Sequence, residues 1–496
     1  MTATHEITTA TATFDVHSPG TGEVVGTYPI QTQEEAVAAV DHAREAFGWW
    51  CELTYAQRAE RLSKFAGLIV RRLEQLAALI HDETGKPYSD ASLEAALAIE
   101  HLVWAGKNAR KVLGRKSSRV GLLSINNAAS VEHKPLGVIG VIGPWNYPVF
   151  TPLGSIVYAL AAGNAVVFKP SEFTPGVGRW LVDMFAQIVP ERPVLQLLTG
   201  DGSTGAALCR AGVDKIAFTG STATAKKVMA VCAESLTPLV AECGGKDVLI
   251  VDADADLDAA AEAGVWAGMA NAGQSCIGTE RVYVHERVYD AFLDKLVARA
   301  GELRAGVDTE AKIGPITMPK QVEVIRHHIE DALARGGRAL VGGAEIQGQV
   351  VQPTVLVDVP EDAPAITEET FGPTLTVAKV RDMDEAVTRA NATRYGLSAA
   401  VFSKSRGREL ADRLRTGMVS VNAVFNFPSI ASLPFGGVGD SGFGRIHGPD
   451  GLREFTYAHA VARQRFAPLM ALTTFARTAE TDQKVAKMLT LLHGRK

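Results

Sequence analysis

Cys276 stands near the middle of Asn-Ala-Gly-Gln-Ser-Cys-Ile-Gly-Thr-Glu, residues 271–280. Almost every neighbour is small or polar. A packed structural cysteine sits more often among large apolar side chains. A reactive thiol needs room for a substrate and backbone N–H groups within reach. The thiolate is the nucleophile, so the site must lower the thiol pKa or place a base beside it. Glu242, in AECGGKD (241–247), is the candidate base. It ends an apolar run, and a carboxyl among apolar neighbours keeps its proton to higher pH. Asn146, in GPWNYP (143–148), sits on backbone stiffened by two prolines and a glycine. An amide held this way can donate to a developing oxyanion. Each residue also has a plainer reading: a buried inert cysteine, a structural glutamate, a turn asparagine.

Three further corners suit a nucleotide. Lys169 and Glu172, in FKPSE (168–172), follow an apolar run and can meet ribose hydroxyls, the carboxylate disfavouring a 2′-phosphate. Gly220 and Ser221, in FTGSTATA (218–225), end one run and open a helix-like segment, whose N-terminus favours an anion such as pyrophosphate. Glu369 and Phe371, in EETFGP (368–373), offer a carboxylate for a sugar hydroxyl and a ring for stacking. The GxGxxG fingerprint is absent at FTGS, so this nucleotide signal is weak on its own. A solvated ion pair and surface turns are the plainer readings.

The elements that position these residues alternate. From about 136, LGVIGVIGP, NAVVFKP, PVLQLLTG, KIAFTGS and PLVAECGG are short β-rich runs separated by helix-like segments. That order predicts a parallel sheet covered on both faces. A second alternating set, from KDVLIVDADADLD to GMVSVN, predicts a second α/β domain. The first third reads as helical. Val37, Val40, Ala43 and Phe47 recur at helical spacing, and Leu62, Phe65, Ala66, Ile69, Leu73, Leu76 and Ile80 predict one longer helix stopped by TGKP at 84–87. Residues 114–135 read as an exposed hairpin. The tail after about 466 reads as an amphipathic helix closing in basic residues.

Bulk properties exclude several classes. The 496 residues carry a net charge of −5, so no global field draws the chain to nucleic acid or anionic lipid. The N-terminus has no apolar signal region, and no run approaches the ~20 apolar residues of a membrane span. The five cysteines are odd in number, scattered, and free of CxxC spacing. That argues against a disulfide framework or a metal site and for a reducing cytoplasm.

Taken in order, GPWNYP, FKPSE, FTGS, AECGGK, NAGQSC and EETFGP, with LPFGGVGDSGFGRIHG at 433–448, strongly resemble the NAD(P)-dependent aldehyde dehydrogenase superfamily. The resemblance runs from about 15 to 465. It implies an α/β fold with a Rossmann-type cofactor domain (1–113 and 136–243), an α/β catalytic domain (244–445), a β oligomerisation arm (114–135 and 446–466) and a C-terminal tail (467–496). It implies oxidation of an aldehyde to a carboxylic acid, with Cys276 carrying a thiohemiacetal and then a thioester. Asn146 and the Cys276 N–H would hold the oxyanion, and Glu242 would activate the hydrolytic water. Trp145 would line the cofactor site, Lys169 and Glu172 the adenosine ribose, Gly220 and Ser221 the pyrophosphate, and Glu369 the nicotinamide ribose with Phe371 beside it. Glu172 favours NAD, although some members with this glutamate also use NADP. A homodimer or homotetramer is implied.

The chain departs from the family pattern in places. Cys243 replaces a common leucine after the base, and two thiols that approach each other predict sensitivity to oxidation. Ala225 replaces a common glycine. Ile446 stands where many relatives have a glutamate, which leaves Glu242 as the only named base. Tyr147, Phe150, Ser275, Ile277, Phe425 and Phe427 are candidate substrate-tunnel residues. No basic anchor follows the WNYP turn, which points to an uncharged aliphatic or aromatic aldehyde. The alternatives are a carboxylated semialdehyde, a cysteine-dependent esterase or thioesterase, a CoA-acylating relative and a silent scaffold. The tail's apolar face suits lipid or protein, and packing on protein is the preferred reading.

Overall fold

Five of the short β-rich runs become parallel strands because each is flanked by a helix that carries the chain back over the sheet. The computed structural model describes residues 12–468, 470 and 472–494. In its six-stranded sheet the order is Gly442–Phe443, Leu239–Glu242, Lys215–Thr219, Val138–Ile142, Ala165–Lys169, Leu195–Leu197. All pairs are parallel except the first. Val138–Ile142 and Ala165–Lys169 are buried along their whole length, as their near-continuous apolar sequences require.

The strand order reverses direction between Val138–Ile142 and Lys215–Thr219. Such a switch point opens a crevice beyond the carboxyl ends of the two strands. The GPWNYP turn leaves one of these strands, and Gly220-Ser221 leaves the other.

The second alternating set forms a seven-stranded sheet ordered Arg338–Val341, Thr354–Val357, Thr374–Val380, Thr279–His285, Asp247–Val251, Ser398–Phe402, Met418–Val421. Only the edge pair Arg338–Val341 with Thr354–Val357 is antiparallel. Alternate residues of Asp247–Val251 enter different cores, Leu249 and Val251 on one face and Val248 and Ile250 on the other. This is the period of two expected of a covered strand.

The helical first third differs in two respects from its sequence pattern. The stripe from Leu62 to Ile80 is two helices, Tyr55–Arg71 and Leu73–Thr84, broken at Arg72 (φ −120°, ψ 25°). Periodicity survives a one-residue break, so spacing alone does not reveal it. In Gln33–Glu52 the buried face is Ala36, Ala39, Val40, Ala43, Ala46 and Trp50, while Val37 is exposed. Small alanines lie against the sheet, and the larger Val37 was the misleading signal.

Two compact units result. One comprises 1–112 and 135–456, the other Leu113–Lys134 with Tyr457–Lys496. In the second, Asn127–Pro135 lies between Thr456–Gln464 and Lys116–Ser118 in a three-stranded sheet. The tail helix Ala479–His493 is capped by Thr478 and has no buried residue.

Candidate active site

Glu242 is the last residue of its strand, paired beside Thr219. Gly244 and Gly245 then carry the chain across to Asp247–Val251 in the other sheet. The crossing is too tight for side chains. A Cβ on Gly244 would lie 2.2 Å from Glu369 Oε2, and one on Gly245 would lie 2.6 Å from the Cys276 carbonyl oxygen. The two glycines thus set Glu242, Glu369 and Cys276 around one crossing.

Cys276 lies on the loop between the helix Leu257–Met269 and the strand Thr279–His285. Three successive residues of that loop are left-handed: Asn271 (φ 52°), Ala272 (φ 55°) and Gly273 (φ 69°). Two of them pay a steric cost for this conformation, and such strain persists only where surroundings impose it. Here they do. Asn146 Nδ2 donates to the Gln274 carbonyl (2.9 Å), and Asn271 Nδ2 donates to the Asn146 carbonyl (3.0 Å) and to that of Gln274 (3.1 Å). Thr317 N donates to Gln274 Oε1 (2.8 Å). The loop that carries Cys276 and the WNYP turn are therefore one hydrogen-bonded assembly.

The WNYP turn has a second anchor that sequence reasoning missed. Lys86, inside the TGKP read only as a helix stop, forms a fully buried ion pair with Glu94. Lys86 Nζ also donates to the Asn146 carbonyl (2.9 Å), and Glu94 Oε1 accepts from Val149 N (2.8 Å) and Phe150 N (3.1 Å). A buried pair whose remaining valences are all used specifies geometry well. A similar device fixes the Glu369 loop. Glu280 pairs with Lys246 and accepts from the backbone N–H groups of Thr370 and Phe371. Both residues lie in motifs singled out by sequence, but nothing local marks them as partners.

A cavity of ≈ 260 Å³ opens from Cys276. Glu242, Cys243, Thr219, Tyr147, Phe150, Ser275, Ile277, Trp266 and Phe425 line it, as do Leu93, Leu97, Phe435 and His447. Five of the six candidate tunnel residues are present. Phe427 is not. It is buried against Phe435 (6.3 Å between rings), a core position. The charged lining residues are Asp90, Glu94 and Glu242, with no lysine or arginine among them.

The electrostatics differ from the expectation of a low-pKa thiol. Burial first, then the nearby carboxylates Glu369, Asp247 and Glu242, push the Cys276 thiol well up, with a backbone hydrogen bond opposing. Glu242 is buried with both carboxylate oxygens unpartnered, and burial lifts its pKa well above the ordinary value, opposed by Arg445. Burial lifts Glu369 to about 8, although Gly245 N donates to its Oε1 (3.0 Å). Burial likewise lifts Cys243, in the same cavity wall, to about 12.

The cofactor candidates lie along the carboxyl rim of the six-stranded sheet. Lys169 ends its strand in register with Ile142, and its buried ammonium stands 3.7 Å from the half-exposed Glu172. Gly220 N donates to the Glu242 carbonyl (3.1 Å), and Ser221 caps the 12-residue helix Thr222–Ala233. The Trp145 ring stands edge-on to Phe371 (5.5 Å) and Phe173 (6.5 Å). Phe371 is held at a positive φ of 51°. Among the described residues no helix is long and apolar enough to cross a membrane, and no group of His, Cys, Asp and Glu could hold a metal ion.

Residues 7–461 match the aldehyde dehydrogenase family. The chain belongs to that family. It is 36% identical over 444 residues to a 4,4′-diapolycopene aldehyde oxidase of a Methylomonas species, covering 89% of this chain and 84% of that one. It is 34% identical over 449 residues to a glutarate-semialdehyde dehydrogenase of Pseudomonas putida, covering 89% and 92%. A solved NAD-dependent aldehyde dehydrogenase from Sinorhizobium meliloti matches the structure with a TM-score of 0.88 at 33% identity, covering 93% of each chain. This aldehyde dehydrogenase is accordingly an oxidoreductase acting on aldehyde groups.

Proposed function

We propose that the protein oxidises an uncharged, apolar aldehyde to its carboxylic acid with NAD as hydride acceptor. The observation that carries this reading is the presence of Cys276 and Glu242, from separate segments, in the wall of one apolar cavity, with Asn146 bonded to the loop that carries Cys276. Glu242 in its ionised form takes the thiol proton, and the Cys276 thiolate attacks the aldehyde carbon to give a thiohemiacetal. Asn146 Nδ2, with one N–H committed to Gln274, turns its other N–H to the oxyanion, together with the Cys276 backbone N–H. The bound nicotinamide ring supplies the acceptor for the hydride leaving that carbon. The acyl group remains on Cys276 as a thioester. Once the first proton has passed from Glu242 to solvent, the carboxylate draws a proton from water, the water oxygen adds to the thioester carbon, the acid departs, and Glu242 returns its proton to the Cys276 thiolate.

The rim residues fit the cofactor. The switch-point crevice, the Ser221 helix N-terminus and the Lys169–Glu172 pair suit pyrophosphate and ribose hydroxyls. Trp145, Glu369 and Phe371 would enclose the nicotinamide end, and Gly220 would let the pyrophosphate approach the backbone. The Glu172 carboxylate repels a 2′-phosphate, which favours NAD over NADP.

A cavity whose charged lining residues are all acidic supports uncharged over carboxylated aldehydes, so the semialdehyde alternative ranks second. Ester hydrolysis at Cys276 is a side activity in this reading. We assign the five parallel strands of the six-stranded sheet to the cofactor domain (1–113 and 136–243), the seven-stranded sheet and the added edge strand Gly442–Phe443 to the catalytic domain (244–445), and the separate unit to assembly of a cytoplasmic homo-oligomer. The test is reduced-cofactor formation with NAD and with NADP over short, long, aromatic and carboxylated aldehydes. Turnover that Cys276→Ala abolishes, best with uncharged aldehydes, is expected. Best turnover of carboxylated aldehydes, or turnover retained by Cys276→Ala, would overturn the reading.

A further inference from the structure

We infer that Arg445 is a positioning residue for the hydrolytic base: its guanidinium is the cation that allows the buried Glu242 carboxyl to ionise. The inference rests on the reading of Glu242 as base given above and deepens it.

A buried carboxyl ionises only where a charge or hydrogen bonds compensate for the lost water. Glu242 is buried, and neither of its carboxylate oxygens has a hydrogen-bond partner. Compensation must therefore come from a charge acting across a gap. The fold supplies one from the glycine-rich segment at 433–448. Its short strand Gly442–Phe443 pairs antiparallel with Leu239–Glu242 and sets Gly442 opposite Glu242. Ile446 then pairs with Phe435 through two backbone bonds, Ile446 N to the Phe435 carbonyl (2.9 Å) and Phe435 N to that of Ile446 (2.7 Å). That pairing brings Arg445 beside Gly436. A Cβ on Gly436 would lie 2.7 Å from Glu242 Oε1 and 3.0 Å from Arg445 Cδ. The two side chains approach each other across the space this glycine leaves.

The arginine is held without losing its charge. Its Nη1 donates to the carbonyls of Gly437 (2.8 Å) and Gly444 (2.6 Å), both neutral acceptors. Glu454 is the other charged group that acts on Glu242, and with the opposite sign. It is paired with Lys215 and accepts from Arg445 N (3.3 Å), so its charge is already offset. Cys243 and Cys276, which share the cavity wall with Glu242, are neutral thiols at rest. The Arg445 charge is the one left to face the base.

Arg445 does not line the substrate cavity. It lines a second, open cavity of ≈ 580 Å³, with Lys215, Asp450, Arg453 and Glu454. The cation thus takes no substrate space. A direct ion pair would hold Glu242 ionised but weakly basic. A cation kept one glycine away lowers the cost of ionising and leaves both oxygens free for water.

The experiment follows kcat, and hydrolysis of the acyl-enzyme in single turnovers, from about pH 5 to about pH 9. Wild-type rates should rise with pH as Glu242 ionises, and Glu242→Gln should remove that rise. Arg445→Gln should move the rise upward by about one pH unit or more, so the rate at the acid end falls about tenfold while the alkaline plateau is kept. Arg445→Lys retains the charge and should restore most of the wild-type profile. Glu454→Gln removes the opposing charge, leaves Lys215 cationic and keeps Arg445 with its bonds, so it should move the rise downward. An Arg445→Gln rate lowered equally at every pH marks a merely structural residue and would overturn the proposal. Should Arg445→Gln not fold, Glu454→Gln decides, and a rise that stays in place or moves upward would overturn it too. Absence of turnover on every aldehyde, or a rise that survives in Glu242→Gln, sinks the reading of Glu242 as base. A rise that belongs to Glu242 and ignores Arg445 sinks this inference alone.

Discussion

At Cys276 the chemistry depends on surroundings that raise rather than lower the thiol pKa. In the proposed mechanism the neutral thiol and the unpartnered carboxyl form a resting pair that acts once Glu242 ionises. Asn146→Ala should lower kcat by roughly 10²–10³-fold, the usual cost of one oxyanion donor, with the fold retained by circular dichroism. Glu369 allows a pH test with a definite sign. Its folded pKa of about 8 lies above the ordinary 4.5, so the folded state holds this proton more tightly than the unfolded chain does. The stability this contributes is complete below about pH 4.5 and is lost as pH rises through about 8. Glu369→Gln should therefore gain melting temperature relative to wild type between those limits. An unchanged difference across the range would contradict the assignment. Cys243 shares the cavity wall with Cys276. A sulfenic acid formed on Cys276 by peroxide could condense with the Cys243 thiol, releasing water and forming a disulfide. Cys243→Ser should then change the rate and the dithiothreitol reversibility of inactivation by peroxide. Equal loss and equal recovery in both proteins would exclude that role.

At the scale of elements, the decisive segment is the left-handed turn before the nucleophile. Gly273 is the tightest point, where a Cβ would lie 2.0 Å from the Gly372 carbonyl oxygen at a φ of 69°. Gly273→Ala should cost roughly 1–3 kcal/mol of stability and displace Cys276 as well. Denaturant melts and kcat should fall together, and a variant that loses neither would show that the turn tolerates a side chain. The switch point does the complementary work for the cofactor, because it sets two carboxyl strand ends, and the loops that leave them, on either side of one crevice. These placements depend on strand order. GPWNYP, AECGGKD and NAGQSC could each be read as a special corner from their glycines and prolines. Their meeting could not be read locally, since the bonds that join them, Asn146 to Gln274 and Lys86 to Asn146, and the pair Lys246–Glu280 link separate segments.

Taking the whole molecule, the tail helix contributes no buried residue, and the family match ends at 461. Removing residues after 466 should leave kcat/KM for the best aldehyde unchanged within about twofold, checked by steady-state kinetics on both proteins. The leucines at 489, 491 and 492 of that helix are exposed. Co-sedimentation of the full chain, but not of the shortened one, with anionic liposomes would assign the tail to lipid. Size measurements on the same two proteins would show whether it serves assembly.

The sequence by itself determined the family and nominated the residues proposed for its chemistry. Cys276 among small residues, Glu242 after an apolar strand and Asn146 in a proline-stiffened turn are local signals, because reactivity, strand burial and turn rigidity depend on near neighbours. The alternation of β-rich runs and helices determined two parallel sheets for the same reason. Tertiary structure alone decided the rest. It broke one apparent helix at Arg72, turned Val37 outward, placed Phe427 in the core, and made Lys86 an anchor of the WNYP turn. Each of these depends on which distant segment packs opposite, and that is settled by strand order and side-chain fit rather than by spacing along the chain.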